Sequence, residues 1–96
     1  MDYKKRLEEL IKERALKVAD EPIFKLSSGK MSNYYLDLRT ITLDPEGGYV
    51  IGNIVYQMVK DKKPDAVGGL TLGADPIAYA TSLVSYLNND PIKPFV

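Results

Sequence analysis

Apolar positions recur along this chain in three distinguishable rhythms. Leu7, Leu10, Ile11, Arg14, Ala15 and Val18 fall at helical spacing with Lys, Glu and Arg between them, which predicts one amphipathic helix over residues 3–19. Glu8 with Lys12 and Glu13 with Lys17 have the favourable i,i+4 order. Pro22 bars continuation. Residues 23–26 and 34–41 are rich in aromatic and β-branched side chains, and the intervening SSGKMSN is turn chemistry, so a β-hairpin with a long loop is expected. In its second strand Tyr34, Leu36 and Leu38 share one face, and Tyr35, Asp37 and Arg39 share the other.

Asp44-Pro45-Glu46 has the form of a helix start, with a capping carboxylate, a proline at the first helical position and an acid in the first turn. Ile51, Ile54, Val55 and Met58 predict its buried stripe, and the helix should end near Asp61. Asp65 to Leu70 reads as a short apolar strand, and Asp75-Pro76 opens a helix that runs to Leu87, with Asn88 and Asn89 as C-caps. A further strand is expected over 91–96. Helix and strand alternating from residue 45 onward predict a parallel sheet with right-handed crossovers, and two strands make that sheet unfinished.

Composition narrows the chemistry. The 13 basic and 13 acidic residues cancel and are interspersed, so no global field points to nucleic acid or an anionic membrane. With no Cys and no His, disulfide frameworks, thiol nucleophiles, the common zinc ligand sets and Ser-His catalysis are excluded within these residues. No stretch is both long and apolar enough to span a bilayer, and a cytoplasmic location is expected.

Two loops carry candidate chemistry. GGLTLGADP follows a predicted parallel strand and precedes a helix, where backbone amides and a helix N-terminus face outward together. Such a bend suits an anion, with Thr71 as a possible hydroxyl donor, and it equally suits a plain tight turn. Asp75 places negative charge at the same end, either as an N-cap or as a holder of a cation or a sugar hydroxyl. The spacing is neither that of a P-loop nor that of a dinucleotide fingerprint. The second loop, SSGKMSNYY, gathers Ser27, Ser28, Lys30 and Ser32 before Tyr35, which suits an anionic ligand and a flat ring, or an ordinary hairpin turn.

FKLSSGKMSNYYLDLR, LDPEGGYVIG and DAVGGLTLGADPIAYATSLVSY, followed by PIKPFV, resemble in order and spacing the N-terminal half of the orotate phosphoribosyltransferases, a branch of the type I phosphoribosyltransferases. The likeness covers nearly everything from Leu16 onward. It implies an α/β fold whose helix and hairpin (1–43) form a hood over the first strands and helices (44–96) of a parallel-sheet core, within one structural domain. It implies transfer of ribose 5-phosphate from phosphoribosyl pyrophosphate (PRPP) to orotate in UMP biosynthesis, with Mg²⁺ bound largely through the pyrophosphate, in a homodimer.

By the same resemblance Tyr35, Leu36 and Lys30 border orotate, while Ser27, Thr71, Leu72, Gly73 and Ala74 bind PRPP or its pyrophosphate, and a strained peptide bond is expected at Leu70-Thr71. Ser27 and Leu72 stand where other branches carry Lys. The family's catalytic Lys and ribose-phosphate cradle correspond to positions after Val96. The 96 residues alone are therefore expected to be inactive and marginally stable, with a non-catalytic pyrimidine- or anion-binding module as the alternative.

Overall fold

The computed structural model describes all residues 1–96. Helix α1 (Tyr3–Leu10) is capped by Asp2, whose carboxylate accepts from the Lys5 amide at 3.1 Å. It does not run on to residue 19. A π-helical turn (Ile11–Ala15) ends it, and β1 (Leu16–Val18) follows. The reason lies eighteen residues away: β1 pairs antiparallel with β4 (Tyr34–Leu36), setting Leu16 opposite Leu36 and Val18 opposite Tyr34. Val18 satisfies a helical stripe and a strand equally well, and the paired partner decides. Glu8 and Lys12 form the expected ion pair at 3.0 Å, whereas Lys17 now lies in the strand and Glu13 approaches Arg6 instead.

The expected hairpin is split. β2 (Phe24–Lys25) pairs with β3 (Met31–Ser32), not with the later strand, which belongs to β1. The strand expected over 34–41 ends at Leu36, and α2 (Arg39–Thr42) takes its place. Asp37 causes the change: its side chain accepts from the Arg39 amide at 3.2 Å, and its carbonyl accepts from the Thr40 hydroxyl at 2.8 Å, winding the chain into a helical turn.

Helix α3 (Pro45–Val59) starts as the sequence predicts, with Asp44 accepting from the Gly47 amide at 2.8 Å and Pro45 at the first position. Its buried face is broader than the expected stripe. Val50, Asn53 and Tyr56 are buried, Ile51 and Ile54 pack at the edge of the core, and Met58 is exposed. α3 is sandwiched between α1 on one flank and α4 (Asp75–Leu87) on the other, so no single stripe describes it. The α3–α4 approach depends on Gly52, where a Cβ would stand 2.7 Å from the Ala80 carbonyl oxygen.

After a short 3₁₀ turn (Lys60–Lys62), β5 (Ala66–Val67) pairs in parallel with β6 (Lys93–Pro94). Both strands are shorter than expected, but their parallel order with a helix between them is the predicted topology. Asn88 closes α4 by donating from its side chain to the Val84 carbonyl at 2.8 Å, and Asn89 adopts a positive φ of 55° just beyond it. Buried Ser85 then accepts from the Ile92 amide at 2.9 Å, locking the approach to β6.

The core has two centres. Leu10, Ala15, Ile41 and Val50 pack where α1, α2 and α3 meet, and Tyr56, Val84 and Ile92 pack beneath the parallel pair. The molecule is elongated, 49 × 29 × 21 Å with a radius of gyration of 15.4 Å. A compact chain of this length scales to roughly 12–13 Å. The three two-stranded pairs are separate sheets and do not merge into one.

Candidate functional site

The loop between β5 and α4 is built from its own backbone. The Ala74 amide donates to the Leu70 carbonyl at 2.9 Å, and the Asp75 amide donates to the Leu72 carbonyl at 3.1 Å. The Thr71 hydroxyl donates to the Asp75 carboxylate, so the turn is closed by three internal bonds. Gly69 permits this closure, because a Cβ there would stand 2.7 Å from the Ala74 Cβ. The amides of Thr71, Leu72 and Gly73 donate to no acceptor in the chain, and all three residues are exposed. Three successive N–H groups without an acceptor in the chain thus lie at the carboxyl end of a parallel strand, just before a helix N-terminus, a position suited to an anion.

Several expectations for this loop change in detail. Ala74 has spent its amide on Leu70, so its backbone N–H is not presented outward. Thr71 has spent its hydroxyl proton on Asp75, so only its amide remains to donate. Asp75 is the first residue of α4 rather than its cap: the capping position is Ala74 and no side chain caps the helix. The unusual peptide bond is cis at Thr71-Leu72, one bond after the Leu70-Thr71 position expected from the sequence.

Leu72 and Gly73 line a cleft of about 750 Å³ together with Arg39, Leu43, Tyr79 and Phe95. Arg39 is a functional candidate that sequence pattern marks only by its place with Tyr35 and Asp37 on one strand face. Its guanidinium is held by Asp37 through two bonds, Nε to Oδ1 at 2.9 Å and Nη2 to Oδ2 at 3.1 Å, and its side chain is 73% exposed. The hydrogen bond from Arg39 holds the Asp37 carboxyl below the usual carboxylate range, and the same bond raises the Arg39 pKa. The available signal was the spacing Asp-Leu-Arg directly after the strand, which favours a planar side-chain pair at a helix start.

The hood residues are arranged around β4. Tyr35 packs on Phe24, ring centroids 6.2 Å apart and 25° from parallel, which joins the two antiparallel pairs. Leu36 faces away from Tyr35 and lines a separate groove with Tyr34, Leu7 and Ile11. Ser27 and Lys30 lie in the exposed β2–β3 turn, closed by bonds between Leu26 and Lys30 and from the Gly29 amide to the Leu26 carbonyl. The structure thus brings Leu72 and Gly73 together with Arg39 in one cleft, whereas Ser27, Lys30, Tyr35 and Leu36 are not among the residues lining it. No three acidic side chains converge to hold a metal ion, and Asp75 is the one acidic side chain lining the cleft. No helix is long and apolar enough to cross a membrane.

No family model matches the chain. An orotate phosphoribosyltransferase of Aquifex aeolicus is 64% identical over 93 residues, covering 97% of this chain and 51% of that protein. One from Nostoc is 41% identical over 93 residues, covering 97% of this chain and 43% of its own. Among solved structures, a phosphoribosyltransferase from Corynebacterium diphtheriae superposes with a TM-score of 0.76 at 36% identity, over 100% of this chain and 50% of that one. A Mycobacterium tuberculosis orotate phosphoribosyltransferase, solved in complex with 5-phospho-alpha-D-ribosyl 1-diphosphate, gives a TM-score of 0.76 at 35% identity, over 98% of this chain and 52% of that one. The chain spans about half the length of the curated relatives it matches. Its fold is the N-terminal part of theirs, and these likenesses favour the enzyme family over a stand-alone binding module.

Proposed function

From the correspondence of this chain to the N-terminal half of the orotate phosphoribosyltransferase family, we propose that it supplies the pyrophosphate loop and the nucleobase side of a site that transfers ribose 5-phosphate from PRPP to orotate. The observation that carries the reading is the row of unsatisfied amides at Thr71, Leu72 and Gly73. Ribosyl transfer passes through an oxocarbenium-like state in which charge builds on the departing pyrophosphate. Fixed N–H donors aimed at that charge stabilise it without reorganising during the reaction. Leu72 contributes its backbone only, since its side chain offers no charge.

Arg39, clamped by Asp37, adds a cation at the rim of the same cleft. Tyr35, backed by Phe24, offers a flat face for the pyrimidine, with Leu36 and Lys30 assigned to the same side and Ser27 to the PRPP side by family likeness. Magnesium, which neutralises a pyrophosphate leaving group, is assigned by family likeness to the substrate's own oxygens. Cytoplasmic location and a homodimer belong to the same proposal.

The test is a titration of the ¹⁵N-labelled chain with magnesium pyrophosphate and, separately, with orotate. Pyrophosphate is expected to move the amide resonances of Thr71, Leu72 and Gly73 first, and orotate those around Tyr35. Unchanged Thr71–Gly73 resonances at millimolar pyrophosphate would refute the assignment.

A further inference from the structure

Asp75 raises a question that the pyrophosphate reading does not answer. A carboxylate beside three free amides repels the anion those amides attract, yet it sits on the first residue of α4. Its two oxygens have different surroundings. Oδ2 accepts the Thr71 hydroxyl proton, while Oδ1 is buried without a hydrogen-bond partner. Of the three bonds that close residues 70–75, two are backbone to backbone, and the Thr71–Asp75 bond is the one made by side chains. It ties the first residue of the cradle to a thirteen-residue helix.

We propose that Asp75 is a positioning residue, which holds Thr71 by its hydroxyl so that the Thr71, Leu72 and Gly73 amides converge on one point. The inference rests on the pyrophosphate reading above and deepens it. Its chemical content is that Asp75 works as a hydrogen-bond acceptor and its charge works against the ligand. Thr71 in turn gives a bound anion no hydroxyl proton, because that proton belongs to Asp75. An uncharged acceptor of the same shape should therefore serve the cradle better than the native residue.

Three variants separate these roles: Asp75→Asn, Asp75→Ala and Thr71→Val. Pyrophosphate affinity is read by calorimetry with and without magnesium, and the Thr71 χ1 rotamer is read from scalar couplings in the ligand-free chain. Asp75→Ala and Thr71→Val are each expected to weaken pyrophosphate binding roughly five- to tenfold, the scale of one lost hydrogen bond. Asp75→Asn, which keeps a carbonyl acceptor, should bind at least as tightly as the native chain. Thr71 should hold one rotamer in the native and Asn forms and average among rotamers in the Ala form.

The proposal is overturned if Asp75→Ala binds as tightly as Asp75→Asn, since the carboxylate would then act only through its charge. It is also overturned if Asp75→Asn weakens binding only when magnesium is present, since the carboxylate would then serve the cation. A native chain with no affinity for pyrophosphate removes the site reading but leaves the positioning claim decided by the rotamer. Averaging of Thr71 in the native chain overturns that claim, and should Asp75→Ala fail to fold, Thr71→Val carries the affinity comparison.

Discussion

Arg6 grips Glu46 with two parallel bonds, Nε to Oε2 at 2.7 Å and Nη2 to Oε1 at 2.9 Å, across forty residues of sequence. The pair joins the N-terminal helix to the first turn of α3. Arg14 extends it, reaching Asp44 at 3.0 Å and Glu46 at 3.9 Å. A planar, two-pronged pair within a network is the geometry in which a surface ion pair contributes measurably.

The consequence is a pH dependence of stability with a definite sign. The Arg6 hydrogen bond holds the Glu46 carboxyl below its ordinary value, and the Gly47 amide does the same for Asp44. Groups depressed on folding contribute stability that is present above the unfolded carboxylate range, about pH 4, and lost as pH falls through the folded values. Glu46→Gln is expected to lower the urea midpoint at pH 7 and to make little difference at pH 3. A gap of equal size at both pH values would show that the pair acts through packing and not through charge.

The same helix offers two glycines with opposite expectations. At Gly52 a Cβ would meet the Ala80 carbonyl at 2.7 Å, so Gly52→Ala must push α3 and α4 apart, an overpacking cost of about 1–3 kcal/mol. At Gly48 the nearest atom is 3.9 Å away, so Gly48→Ala should stabilise by roughly 0.5–1 kcal/mol through helix propensity. Thermal melting of the two variants decides it. Equal shifts in one direction would refute the packing argument.

How much of this was legible beforehand depends on where each element's cause lies. Asp44-Pro45 starts α3 by contacts made within three residues, and that start is read directly from sequence. The parallel order of β5 and β6 follows from the helix between them. By contrast, Leu16–Val18 becomes a strand because Tyr34–Leu36 lies beside it, and no local periodicity carries that information. The truncation at Leu36 was written in Asp37, whose short polar side chain competes with strand bonding, but aromatic content masked it. At the candidate site, the Gly-rich bend was legible as a strand-to-helix loop suited to an anion or to a plain tight turn. Which amides remain free was not, because that depends on the pairings Ala74 to Leu70 and Asp75 to Leu72.

Tyr56 should be among the last of the seven tyrosines to ionise. Burial raises its pKa first, and its hydroxyl donating to Asp90 at 3.0 Å adds to the shift. A group raised on folding contributes stability that is complete below the unfolded phenol value, about 10, and is lost as pH rises through the folded value. Ultraviolet titration of phenolate should therefore lose a late-ionising component in Tyr56→Phe. Alkaline unfolding of the variant should depend less steeply on pH than that of the native chain. Loss of amplitude in the ordinary phenol range, with the late component intact, would mean that Tyr56 is neither buried nor bonded to Asp90 in solution.

The closure of the cradle leads to a test by size exchange. Gly69 and Ala74 face each other at a spacing that tolerates one methyl group and not two, since a Cβ on Gly69 would stand 2.7 Å from that of Ala74. Gly69→Ala should open the turn, separate the Ala74 amide from the Leu70 carbonyl and spread the three free amides. Pyrophosphate affinity should fall roughly tenfold, the scale of one misdirected hydrogen bond, while the core beneath β5, formed by Tyr56, Val84 and Ile92, is untouched. Moving the methyl group across the gap in the double variant Gly69→Ala, Ala74→Gly should restore much of the binding, because the crowded contact is then relieved. Rescue of affinity with little change in melting temperature assigns the effect to loop geometry. Failure of the double variant to recover would mean that Gly69 is needed for its own backbone conformation, independently of the space that Ala74 occupies.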